Sequence, residues 1–196
     1  PAAAGPTAVE APTGDITDQL FGTLVLSSVD AVLDQGTAYI RPSVPGAMQA
    51  LLQPAVLKAQ FFKSVGMPAA EAAIDTKRPL AVAMVDPEPY RGRRLGPLVM
   101  AIPVRDPTRL VDALGQQADS HERTAWNDHV FRFGSGTVRL RVAGSYALLA
   151  EHEQLLNGAA GVLMPLVAKP PGVSARLRID MASITRKHGP KLAAAA

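Results

Sequence analysis

Apolar and polar positions along this chain follow two periods. Period two sends successive side chains to opposite faces of a strand, and spacing near 3.6 gathers them on one face of a helix. Leu20 to Ser28 reads as a strand, and Ser28 or Asp30 can cap a short helix through about Leu33. Residues 37–46, with Pro42, Pro45 and Gly46, read as a loop. Segment 47–65 carries Met48, Leu51, Leu52, Ala55, Ala59 and Phe62 at helical spacing, and Pro54 inside it predicts a kink or two short helices. Pro68 suits the first residue of a helix over 68–75.

From residue 79 strands dominate. Leu80 to Val85 is an apolar strand ended by Asp86-Pro87-Glu88-Pro89, and a basic turn over 91–97 leads to a second strand, Leu98 to Val104. Asp106 can accept hydrogen bonds at a helix start that Pro107 favours, with Leu110, Val111 and Leu114 as its apolar stripe and Gly115 at its end. Residues 116–128 are polar and read as a loop. His129 to Phe133 and Thr137 to Val142 flank Gly134-Ser135-Gly136, a hairpin signature. Ser145 to Ala150 is a further strand, followed by a helix over about 151–162. Val173 to Ile179 is the last strand, and Asp180 caps a helix to His188 that Gly189-Pro190 stops.

One unit recurs at Leu24–Leu33, Val99–Gly115, Ala147–Leu156 and Arg176–Gly189: a strand, a capping residue, an amphipathic helix. Consecutive strands between 129 and 150 argue against a doubly wound parallel sheet. The predicted class is α+β, an antiparallel or mixed sheet with helices on one face, with a split β-α-β (ferredoxin-like) unit over 79–163. The predicted organisation is a Pro/Gly-punctuated linker at 1–14, an N-terminal strand plus helical segment at 15–78, an α+β repeat domain at 79–192 and a tail at 193–196. The chain opens without an initiating Met, which with the linker-like start predicts a processed or trimmed piece of something larger.

Composition narrows the chemistry. Hydrophobic residues make up 47% of the 196 residues, enough to bury a core. The absence of cysteine excludes disulfides, zinc–thiolate sites, iron–sulfur clusters and cysteine nucleophiles. No apolar run reaches the ~20 residues of a transmembrane helix. Net charge is +3, unevenly placed: residues 1–120 carry two more acidic than basic side chains, and 121–196 five more basic than acidic.

No catalytic constellation emerges. Neither a phosphate-loop nor a dinucleotide-binding glycine pattern is present. His121, His129, His152 and His188 lack the i, i+4 spacing of a helical metal pair, and in Glu151-His152-Glu153 neighbouring side chains diverge. Ser135 between two glycines fits a hairpin turn better than a nucleophile elbow. Asp86 and Glu88 end a strand more readily than they pair for acid–base work. The expectation is no metal, no cofactor and no enzyme. A hydrolase would need a pocket joining His129 or His152 to a carboxylate.

The basic residues carry more information. Arg132, Arg139, Arg141, Arg176 and Arg178 each alternate with apolar residues along strands, so period two sends the Arg set to one face and the apolar set toward the helices. If those strands are neighbours, they make an Arg-striped sheet surface. Phe131 and Phe133 alternate away from the arginines, so the base-stacking aromatics of a sequence-reading RNA module are missing from that face. Residues 79–192 resemble large exported bacterial proteins of unknown function built from β-α repeats, through "strand, Asp-Pro, helix, Leu-Gly" (Val104 to Gly115) and "strand-Asp, helix, Gly-Pro" (Ile179 to Pro190). That resemblance implies an envelope location, exported and periplasmic or envelope-associated, and no chemistry.

Two functions follow as expectations. The first is a non-catalytic structural or protein-interaction module, working with other protein subunits in a bacterial envelope assembly. The alternative is a module binding an anionic lipid headgroup or polymer through the five arginines, with no specific nucleic acid and no transmembrane span.

Overall fold

The computed structural model describes residues 16–46, 49, 52–64, 68–87, 96–134 and 136–194. The strands are β1 (Leu20–Leu26), β2 (Leu80–Val85), β3 (Leu98–Pro103), β4 (Ser120–Ala125), β5 (Asp128–Phe133), β6 (Gly136–Ala143), β7 (Tyr146–Ala150) and β8 (Ala175–Ile179). They form one sheet in the order β4-β5-β6-β7-β3-β2-β1-β8, antiparallel at every pairing. Segments 15–78 and 79–192 therefore share a sheet, because β1 lies between β2 and β8.

The helices are α1 (Ile16–Gln19), α2 (Val29–Ile40), α3 (Pro54–Ser64), α4 (Pro107–Gly115), α5 (Glu153–Ala168) and α6 (Met181–Ala194), with a 3₁₀ turn at Pro68–Ala73. Three strand-to-helix turns use the expected caps. Ser28 Oγ accepts from Ala31 N–H at 2.9 Å, Asp106 Oδ1 from Arg109 N–H at 3.0 Å and Asp180 Oδ1 from Ser183 N–H at 3.0 Å.

Helices cover both faces of the sheet, where one covered face was expected. Period two explains this: β2, β3 and β7 are apolar on both sides, so each face needs a cover. On one face Ala81, Ala83, Val99, Ala101, Leu148 and Ala150 pack under Leu155, Leu156, Ala159 and Leu163 of α5. On the other, Ile102, Leu149, Leu140, Val138 and Phe131 meet Leu110, Ala113 and Leu114 of α4, with Val29 and Phe62 from α2 and α3.

The class is α+β, as the sequence predicts, but the strand order does not contain the ferredoxin-like unit. That unit would bring two parallel strands to either side of a single strand. Here β3 and β4, joined through α4, have β7, β6 and β5 between them. The cause is the four-strand meander β4 to β7, which folds back onto β3. Its first strand, β4, occupies part of 116–128, expected to be a loop. Ser120 to Ala125 is polar and exposed throughout, so no apolar alternation marks it, and pairing with β5 holds it in place.

Several helices also outrun expectation. α2 continues past Leu33 to Ile40, and α5 past Val162 to Ala168. α5 carries Pro165 inside its last turn, four residues from its end at Ala168 counted inclusively. α6 runs through Gly189-Pro190 to Ala194.

Candidate interaction edge

The five arginines separate into two groups. Arg139 and Arg141 lie on the α5 face, since Arg139 Nη1 is 3.4 Å from Glu153 Oε2 and Arg141 Nη1 donates to Asn157 Oδ1 at 2.9 Å. Arg141 also holds Asp128 through both carboxylate oxygens, at 2.8 and 2.7 Å. Arg132 pairs with Glu122 at 3.1 Å across β5 and β4. These three are occupied within the chain, tying β4, β5, β6 and α5 together.

Arg176 and Arg178 sit elsewhere. The β1–β8 register sets Arg176 opposite Val25 and Arg178 opposite Thr23, and Val25 belongs to the core under α5. They share the α5 face with Arg139 and Arg141, but β7, β3, β2 and β1 intervene. At the usual strand spacing that is about 24 Å. The continuous Arg-striped surface requires neighbouring strands and is not formed. Among the described residues neither Arg176 nor Arg178 makes an ion pair.

The strand carrying them is a sheet edge, exposed at every residue. Ser27 N–H donates to Ser174 O and Asp180 N–H donates to Phe21 O, each at 2.8 Å. This sets the antiparallel phase. Arg176 and Arg178 bond toward β1, while the N–H and C=O groups of Ala175, Leu177 and Ile179 point outward. No other described strand pairs with that side.

Among the described residues the apolar set of β8 is left largely open. Leu177 is 63% exposed and Ile179 48%. Leu177 lies opposite Leu24, and Ile179 opposite Gly22, whose other cross-strand partner is the exposed Met84. Gly22 contributes no side chain, so Ile179 and Met84 are left uncovered on that face. Val173 before the strand and Met181 after it are exposed as well.

α6 holds the end of the strand. Asp180 caps it and also accepts from Ser183 Oγ at 3.0 Å, and these bonds to Ser183 keep the Asp180 carboxyl below the usual carboxylate range. His188 approaches Asp86 at 3.3 Å and meets Phe21 edge-on, with Lys187 3.7 Å from the same carboxylate.

The opposite edge is built differently. β4 carries His121, Glu122 and Arg123, and Trp126 at its turn is stacked under the Arg123 guanidinium, 4.7 Å from the ring centre. Charged side chains blunt an edge against pairing. β8 has charge on one face only.

The other candidates resolve locally. His121 Nε2 and His129 Nδ1 are 3.0 Å apart, stacked with Phe131. Burial, then the charges of His121 and Arg123, hold the His129 imidazole below its ordinary range. In Glu151-His152-Glu153, buried Glu151 accepts from Gly96 N–H at 3.1 Å, while Glu153 faces Arg139. Among the described residues no three His, Asp or Glu side chains converge as metal ligands. Ser135 and Glu88 lie outside the described residues, as do Arg91, Arg93, Arg94 and residues 1–14. An open cleft of about 350 Å³ is lined by Lys58, Glu71, Thr76 and Arg105, but Lys58 is 2.7 Å from Asp30 and Arg105 3.3 Å from Asp75. No described helix is long and apolar enough to cross a membrane.

Compared with protein-family models, curated proteins and solved structures, the chain gives no match.

Proposed function

We propose that this chain is a non-catalytic protein-interaction module, a subunit or segment of a larger bacterial envelope assembly, and that it engages its neighbours through β8. One observation carries the reading: an edge strand with three outward backbone pairs and an uncovered apolar face. Proteins ordinarily blunt such edges, and an edge left open is a template for another strand. The resemblance to exported β-α-repeat proteins supports the compartment.

Binding of an anionic surface through five arginines is the weaker reading. Arg132, Arg139 and Arg141 already face Glu122, Glu153 and Asp128. Two exposed cations supply little affinity at physiological salt.

The test is the size of the native particle, by light scattering on material from its own source. The expected result is a particle larger than a monomer, released as monomer by Leu177→Lys with Ile179→Lys while the thermal melt is retained. A lone monomer at native concentration would overturn the proposal.

A further inference from the structure

The chemistry of the β8 edge also specifies its partner. We infer that it takes an extended segment of a different protein, in which acidic residues alternate with apolar ones, and that it disfavours a second copy of this chain. This inference rests on the edge being an interaction surface at all.

A strand added to β8 would bond to the outward groups of Ala175, Leu177 and Ile179. Its side chains would then fall alternately on the two faces of the extended sheet. On the α5 face they would meet Arg176 and Arg178, two guanidiniums with no carboxylate partner among the described residues. On the other face they would meet Leu177 and Ile179, both exposed. Acid on one side and apolar bulk on the other is the complementary pattern. Opposite charges directly across a strand pair stabilise it, and like charges destabilise it.

The same geometry argues against self-pairing. Antiparallel pairing of two β8 strands about Leu177 sets Arg176 of each copy against Arg178 of the other. Slipping by two residues sets Arg178 against Arg178, or Arg176 against Arg176. Each of these three registers, which pair the most of β8 with itself while keeping the apolar faces together, therefore juxtaposes guanidiniums. The nearest acid, Asp180, has both carboxylate oxygens engaged in capping α6.

The experiment uses the whole chain and three capped nonapeptides. One alternates glutamate and valine, one alternates lysine and valine, and one has the glutamate/valine composition in blocks. Binding is read by fluorescence anisotropy and by amide exchange of β8. The alternating glutamate/valine peptide is expected to bind and to slow exchange at Leu177 and Ile179. Arg176→Glu with Arg178→Glu is expected to weaken it about tenfold or more and to transfer preference to the lysine/valine peptide. The gained preference keeps the test informative, since a misfolded variant would gain nothing.

Three results would overturn the inference. One is equal binding of the alternating and block peptides. Another is unchanged glutamate/valine binding by the charge-reversed variant. The third is a wild-type dimer that Leu177→Lys dissociates. If the peptides fail while Leu177→Lys still releases monomer from the native particle, only the partner chemistry falls and the edge remains.

Discussion

Arg141 grips Asp128 with two arms of its guanidinium: Nε donates to Oδ1 at 2.8 Å and Nη2 to Oδ2 at 2.7 Å. The third arm, Nη1, reaches Asn157 of α5 at 2.9 Å. One side chain of β6 thus fastens β5 and α5 together. Lysine has no planar fork and can serve only part of this arrangement. Arg141→Lys is expected to lower stability by about 1–2 kcal/mol, the scale of a charge-assisted, half-buried pair. Urea unfolding of the variant checks it. A change within error would make the network incidental.

The same pair sets an acid limit. The Arg141 hydrogen bonds hold the Asp128 carboxyl below its usual range, against the opposing effect of burial. A lowered folded-state value means that the contribution is complete above the unfolded value of 3.8 and is lost as pH falls through the folded one. Asp128→Asn should therefore be less stable than wild type at pH 7, with the gap narrowing below pH ~4. A gap that stays constant down to pH 2 would contradict this origin.

His129 acts in a higher window. Its imidazole is held below the ordinary 6.5 by burial, then by the charges of His121 and Arg123. As pH falls through that value the unfolded chain takes up its proton first. Stability contributed by the neutral ring is present above pH ~6.5 and lost as pH falls through the folded value. The urea midpoint of wild type is expected to drop between pH 7.5 and 5, and that of His129→Gln to drop less. Parallel curves would remove His129 from the account.

Two glycines make close approaches that a methyl group would disturb. A Cβ on Gly158 in α5 would lie 2.5 Å from Ile16 Cγ2. Gly158→Ala is expected to cost about 1–2 kcal/mol by overpacking α1, net of its gain in helix propensity. In an Ile16→Ala background the same substitution should cost less, and a double-mutant cycle measures the coupling.

A Cβ on Gly22 would lie 2.8 Å from the Arg178 carbonyl oxygen, which moves only if β8 moves. Gly22→Ala should speed amide exchange at Arg176 and Arg178 while leaving β3 and β7 unchanged. Equal protection in variant and wild type would show β8 to be more compliant than this contact implies.

Two stretches that read alike show what the sequence could reveal and what it could not. Val138 to Val142 (VRLRV) and Ala175 to Ile179 (ARLRI) have the same alternation. In β6 the apolar set is covered by α4 and the arginines find acids on β5 and α5. In β8 the apolar set is exposed and the arginines are unpaired among the described residues. Alternation identifies a strand and its two faces, but position in the sheet decides which face is buried. That position comes from long-range pairing of β8 with β1, about 150 residues earlier in the chain, which local pattern does not encode. The caps Ser28, Asp106 and Asp180 were legible because capping is local chemistry. β4 was not, because an exposed polar edge leaves no periodic signature.

The most direct test of the β8 edge as the working surface is residue-resolved amide exchange in the free chain and in its native assembly. In the free chain Arg176 and Arg178 should exchange slowly and Leu177 and Ile179 fast, following the alternation of inward and outward N–H groups. On assembly Leu177 and Ile179 should slow by about tenfold or more. If these two amides exchange at the same rate in both states, β8 is not where this chain meets its partners.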